Sequence, residues 1–318
     1  MTWAAAGLVQ ASDLNTMLGG NPTTTANTLN ATWATGGAQA GYGQTAVANV
    51  AVGDIVSATP WNGLFYNQKQ AAAHQNTSIS NIANVSSSNI VTFYSAAQTN
   101  LNSIYAARGN AASQGSTSAN AVTTAVTWNN TATWTHTVTF ANGDAARYFF
   151  NAGGQIKMTA SHSNTTAGVN QALATLCTAS GTIVMSGQNS GSRTIAGTAY
   201  NGITKVGGSG SSESISTNSG YFGLTTSDQT LFDQNSGDAP YTTLMDLVYK
   251  GKTNGVQGSN QDNGSVVTVT SIMRESGGNG TIGTGSTITC TVVPPATTYI
   301  ANTWGSITIA GSVTVTNN

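Results

Sequence analysis

The chain has 318 residues, of which 39% are hydrophobic and only 6% charged; nine Lys or Arg stand against ten Asp or Glu, for a net charge of −1. A typical soluble domain carries about 25% charged residues. Nine scattered cations do not make the patch that neutralises nucleic-acid phosphates, nor a basic element for a membrane surface, and the charges are too few for a charge-driven disordered tail. The first residues, Met1 to Gly7, have no basic run and no long apolar stretch, so no secretory signal is expected. No apolar run reaches the roughly 18 residues that cross a bilayer. The expectation is a soluble product made in the cytosol, without membrane insertion.

A degenerate repeat opens the chain. Leu8-Val9-Gln10-Ala11-Ser12-Asp13-Leu14-Asn15-Thr16-Met17 aligns with Ile55-Val56-Ser57-Ala58-Thr59-Pro60-Trp61-Asn62-Gly63-Leu64. Each copy reads as a short extended entry into a helix. Ser12 and Thr59 are candidate N-caps, and Pro60 suits the first helical position, which needs no N–H. Leu14 and Met17, like Trp61 and Leu64, are three apart and share a helical face. The second helix is expected to run to about His74, and another covers Ala97 to Ala107. Ile79, Ile82 and Val85 are too sparse for a coiled coil. Gly109 to Asn120 is small and polar without apolar period, which predicts a linker.

Beyond it the period becomes two. Thr133 to Phe140 alternates strictly, with Thr on one face and Trp134, His136, Val138 and Phe140 on the other, a strand signal. Asn142-Gly143 predicts a hairpin turn, with a bulged return strand from Ala145 to Phe150. Gly153-Gly154 makes a further turn into a strand at Gln155 to His162, where Ile156, Met158 and Ala160 share one side. More strands are expected at Thr182–Met185, Tyr221–Leu224, Val266–Met273, Thr287–Val293 and Ile307–Thr316, with Tyr241 to Lys250 open between strand and short helix. The fold class is therefore mainly β: a C-terminal antiparallel β-sandwich with a smaller N-terminal region of short helices. The expected division is 1–108 for anchoring and oligomerisation, 109–120 as linker and 121–318 as sandwich.

Catalytic chemistry finds little support. His74, His136 and His162 have no neighbouring ligand at metal spacing. Cys290 shares a strand face with Ile288 and Val292 and reads as a small buried hydrophobe, as does Cys177, although a disulfide between them stays open. The acidic residues Asp228, Asp233, Asp238 and Asp246 cluster around one loop. Asp233 to Asp238 resembles the opening of a calcium loop, but Leu244 stands where the bidentate Glu belongs. Gly280 to Thr287 lacks the lysine of a phosphate loop and precedes a strand, so it reads as a turn. No catalytic residue, cofactor or metal site is assigned, and the chain is expected not to be an enzyme. Tyr221, Asp233, Asp238 and Tyr241, with Phe222, form a candidate ligand-facing loop on which sugars could stack.

The stretch Ala145-Ala146-Arg147-Tyr148-Phe149-Phe150-Asn151-Ala152-Gly153-Gly154, continuing to His162, resembles a segment of fibre-like virion structural proteins from tailed bacteriophages of the marine and cyanobacterial type. Gly41-Tyr42-Gly43-Gln44, the entry at Ile55 and Trp61 to Leu64 are similar to another segment of those proteins, and Gly181 to Val184 and Ile307 to Thr316 follow in the same order. The resemblance covers residues 1–75 and 133–318 loosely. It implies a structural role in the virion, usually as an oligomer, for a component assembled in the host cytoplasm. The leading expectation is a tail or collar fibre that binds other virion proteins and itself, as a trimer whose closure covers the exposed strand edges. Trp3, Leu14, Trp61 and Leu64 are then the candidate anchor residues. A capsid decoration or head fibre, a carbohydrate-binding module that meets host surface glycans, and a depolymerase are the competing expectations.

Overall fold

The computed structural model describes the chain except for residues 1–10, 20–26, 52–53, 55–56, 87–92, 211–212, 256–260 and 279. Four helices build the N-terminal region: α1 (Ala11–Leu18), α2 (Leu29–Trp33), α3 (Ala58–Gln75) and α4 (Tyr94–Ala106). Their apolar stripes meet in one core, with Leu14, Met17, Leu29, Leu64, Phe65 and Leu101 all buried. Trp61 sits against Phe65 and Phe93, with ring centroids 6.1 and 5.1 Å away. The helix starts differ from expectation. α1 begins one residue before Ser12, and α3 begins at Ala58 after an extended Ser57 whose side chain makes no capping bond. Ser12 and Thr59 are thus inside first turns, not caps. Pro60 is the third helical residue, where its missing N–H still costs nothing because the first four donors of a helix have no internal partner.

Residues 109–120 do not behave as a free linker. Ala111 is buried and forms a parallel bridge with Ile195, and the last three residues begin a strand. That strand, β1 (Ser118–Thr123), is followed by β2 (Thr131–Thr139), α5 (Gly143–Asn151), β3 (Gln155–His162), α6 (Val169–Ser180) and β4 (Thr182–Met185). Four short strands come next: β5 (Arg193–Ile195), β6 (Thr198–Tyr200), β7 (Ile203–Val206) and β8 (Glu213–Ile215). The chain closes with β9 (Gln229–Asn235), β10 (Met245–Thr253), β11 (Val266–Glu275), β12 (Ser286–Val293) and β13 (Thr308–Thr316).

The strands form a five-stranded sheet, β1-β12-β3-β4-β7, a six-stranded sheet, β13-β2-β11-β10-β9-β8, and the hairpin β5-β6. All their pairings are antiparallel. Strand at 31% exceeds helix at 25%, so the mainly β class with helices toward the N-terminus holds. The two-residue period explains the layering. Ala132, Trp134, His136 and Val138 of β2 are wholly buried, while Thr131, Thr133, Thr135, Thr137 and Thr139 point outward. Helix α6, which the sequence reading did not anticipate, touches β3 of one sheet and β9 and β10 of the other, filling the space between them with Leu173, Leu176 and Cys177. Cys177 and Cys290 are both free and buried.

Two expected strands are not strands. Residues 145–150 form α5 instead of a hairpin arm, because Asn142 acts as its N-cap: the side-chain oxygen accepts from the Ala145 N–H at 2.8 Å. Tyr221–Leu224 is a single 3-10 turn over Tyr221–Gly223. The ambiguous stretch from Tyr241 resolves into another such turn, Tyr241–Thr243, followed by β10.

Candidate functional site: the joint between helices and sandwich

Helix α5 presents two opposed faces. Ala145, Ala146, Phe149 and Phe150 face the sandwich: Phe150 stacks on Tyr221 with centroids 4.5 Å apart and planes 13° apart, and Phe149 lies 5.2 Å from Phe140 and 6.4 Å from Trp304. The polar residues Arg147 and Asn151, one turn apart, reach back to the N-terminal region. The Arg147 guanidinium is fully buried, paired with Asp144 at 2.9 Å, and donates to the Ala40 carbonyl at 2.7 Å. The Asn151 amide donates to the carbonyls of Ala38, Ala40 and Gly41 at 3.2, 2.8 and 3.1 Å. A buried cation is tolerated only when paired and hydrogen-bonded, which Asp144 and Ala40 supply here.

The loop that α5 grips, residues 38–44, is held from every side. Tyr42 is wholly buried; its hydroxyl donates to the Arg108 carbonyl at 2.9 Å and accepts from Gln75 at 2.7 Å. Burial holds that hydroxyl well above the usual phenol range. His74, edge-on to Tyr42 at 5.2 Å, shares a 3.1 Å hydrogen bond between Nε2 and the Ala152 carbonyl at the end of α5. Burial pushes its pKa down to about 4, against the opposing pull of that bond, so the ring is neutral near pH 7 and Nε2 must carry the proton it donates. The Gln44 side chain clasps Ala301, donating to its carbonyl and accepting its N–H, both at 2.9 Å, and Thr303 donates to the Tyr42 carbonyl at 2.6 Å. Gly43 is obligatory. Its φ is +70°, and a Cβ there would meet the Tyr148 ring at 2.5 Å.

Within the helical region the same amide device recurs. Asn15 of α1 donates to the Val50 carbonyl at 2.8 Å and accepts its N–H at 2.9 Å; Asn62 of α3 does the same to Val85 at 3.1 and 2.8 Å. These two asparagines occupy equivalent places in the sequence repeat, and the segments they clasp, Val47-Ala48-Asn49-Val50 and Ile82-Ala83-Asn84-Val85, are themselves alike. Asn30 holds Val47 and Asn100 holds Ser80 by the same two-way bond. Extended chain is therefore fixed by helix side chains instead of by strand pairing.

The residues singled out from sequence fall elsewhere. Leu14, Trp61 and Leu64 are buried in the helical core and offer no surface for an anchor; Trp3 lies outside the described residues. Tyr66, 60% exposed on α3, is the aromatic that α3 leaves available. Tyr221 and Phe222 are core residues, not ligand-facing ones, and the Tyr221 hydroxyl donates to the Gly264 carbonyl at 2.7 Å. Asp233 lies on β9 near Asp246 and Arg274, with its pKa raised by burial and by the Asp246 charge. Because Asp233 and Gln234 belong to a strand, the stretch to Asp238 does not take the form of a calcium loop. Asp238 and Tyr241 are half-buried and joined through the backbone, the Tyr241 N–H donating to the Asp238 carbonyl at 2.7 Å. An open groove of about 430 Å³ runs between β7 and β8, but its lysine, Lys205, is committed to Glu213 and Gln234.

Comparison with protein-family models, with curated proteins and with solved structures returned no match. The joint residues Arg147, Asn151, Gln44 and His74 were missed as a group. Only the spacing of Arg147 and Asn151 on one helix face, together with the glycines flanking Tyr42, gives any local sign of them.

Proposed function

We propose that this chain is an oligomeric structural component of a tailed-bacteriophage virion, a fibre-like appendage of tail or collar that meets the particle through its N-terminal helical region. The observation that carries the reading is the joint. The two stretches that resemble virion fibre proteins, Gly41–Gln44 and Ala145–His162, are distant in sequence and meet in space, where Asn151 donates to the Gly41 carbonyl and Arg147 to the carbonyl of Ala40 just before it. A fibre segment has to transmit load and orientation, and a buried guanidinium and several side-chain amides that cross between the two regions suit that task. The outer faces of the sheets fit it too. Charge on the six-stranded sheet gathers on β9 to β11, at Asp233, Asp246, Lys250, Lys252 and Arg274. The outward positions of β2 and β12 are lined by Thr, and the chain has only nineteen charged residues, nine basic and ten acidic. Contacts made through such faces change little with salt. Attachment then uses exposed residues of the helices, Tyr66 among them, because Leu14, Trp61 and Leu64 are core.

Purified particles test this reading. Peptides of the chain should be found in them by mass spectrometry, and antibody-gold against the chain should label tail or collar. Label spread over the capsid would make it a decoration protein, and absence of the chain from purified particles would overturn the virion reading. Binding of the isolated chain to host surface glycan, lost on Tyr241→Ala, would add receptor recognition to the same component.

A further inference from the structure

The six-stranded sheet ends on β13, which pairs with β2 along its whole length and with no other described strand. Its free side presents every second N–H and C=O outward. Thr308, Ala310, Ser312, Thr314 and Thr316 are all exposed. Natural edges are normally guarded by a lysine, a proline, a bulge or short length. β13 has nine residues, no charge, no proline and an unbroken register against β2. The opposite edge of the same sheet shows the contrast: β8 has three residues and carries Glu213, which is ion-paired to Lys205 of β7.

The sequence of β13 is self-complementary. Laid antiparallel on its own copy about Ser312, the strand matches Thr308 with Thr316, Ile309 with Val315, Ala310 with Thr314, Gly311 with Val313, and Ser312 with itself. This pairing keeps each side chain on its own face. The hydroxyl face continues the hydroxyl face, and the apolar stripe of Ile309, Val313 and Val315, packed against the core, continues its like. No charge on either strand opposes the approach. A foreign strand would need none of this internal matching, which is why the occupant is a second copy. We infer that β13 is a docking edge at which two copies of this chain join about a two-fold axis through Ser312, making one sheet from the six strands of each. Such a contact is isologous and closes on itself. It does not rest on the virion reading, and in a virion it gives an even copy number where a trimer was expected.

The test uses the full chain in sedimentation equilibrium. The wild type should be dimeric or an even multiple. Ser312→Lys and Ser312→Glu each place like charges face to face, and each should raise the dissociation constant about fivefold at low salt. An equimolar mixture of the two variants should recover wild-type affinity. Ser312→Cys gives a readout that survives if a charged variant fails to fold. Both native thiols are buried, so mild oxidation should yield a covalent dimer through residue 312, whereas Thr308→Cys, whose partner is Thr316, should not. A monomeric or trimeric wild type, unchanged mass in both charged variants, or equal cross-linking at 308 and 312 would each overturn the inference.

Discussion

Replacing Asn151 by Ala removes the amide that ties α5 to the loop before Tyr42. Three carbonyls lose a donor, but not equally. Ala40 keeps the Arg147 bond at 2.7 Å, and the Ala38 carbonyl is only partly buried, so water can take the place of the amide. The Gly41 carbonyl is buried and bonded to the same amide at 3.1 Å, so it bears the loss. One buried acceptor left without a partner costs about 1–3 kcal/mol. Taking about 2 kcal/mol, the whole chain should melt roughly 3 °C lower. The local signature is sharper. The N–H groups of Tyr42, Gly43 and Gln44 bond to the carbonyls of Thr32, Ala34 and Trp33 at 2.9 to 3.0 Å. If the joint opens as a unit, their hydrogen exchange should quicken about thirtyfold, while amides in β2 and β11 change little. Asn151→Asp should be worse than Ala, because a carboxylate then faces three carbonyls, and acidification should relieve part of the loss. Unchanged exchange at Tyr42 to Gln44, or an equal rise throughout the sandwich, would refute the reasoning.

Further outcomes follow from the same residues. His74 has a folded pKa of about 4 against 6.5 in a solvated chain. The unfolded state therefore binds a proton first, and stability is lost as pH falls from about 6.5 to about 4, by on the order of 3 kcal/mol. Denaturant titrations in that window should show a shallower acid loss for His74→Gln; identical slopes would count against a buried neutral imidazole. Gly43→Ala should destabilise by more than 1 kcal/mol, since the residue has φ of +70° and no room beside Tyr148. Gly237→Ala, which meets nothing within 4 Å, should stay within about 0.5 kcal/mol of wild type in the same chemical denaturation. Burial pushes the Cys177 and Cys290 thiols up to about 12, so an alkylating reagent at neutral pH should label neither in the native chain and both after unfolding.

The sandwich was legible where strands alternate. β3 and β4 have the expected bounds; β11, β12 and β13 differ from expectation by one or two residues at one end, and β2 does so at both. Such strands carry one buried face, which imprints a two-residue period on the sequence. α5 was misread because Asn142-Gly143 is both a hairpin turn and a helix entry. The deciding signal was the next stretch, where Ala145, Ala146, Phe149 and Phe150 repeat with helical spacing behind Asp144 in the first turn. α6 was missed although Leu173, Leu176 and Cys177 form a helical stripe. β5 to β8, at three or four residues each, are too short to leave a period. The candidate ligand residues failed for a different reason. Proximity to an acidic loop in sequence says nothing about where an aromatic points, and Tyr221 is drawn into the core by the Phe150 ring. The joint itself depends on bonds between residues more than a hundred positions apart, such as Arg147 with Ala40, which no local pattern encodes.

If the helices and the sandwich are one load-bearing unit, thermal unfolding of the intact chain should lose helical ellipticity and the near-ultraviolet tryptophan signal in a single coincident transition. Two separate transitions, with the share of the helical signal that belongs to α1 to α4 disappearing while the sandwich, with α5 and α6, keeps its tertiary spectrum, would show that the contacts around Tyr42 do not bind the halves together.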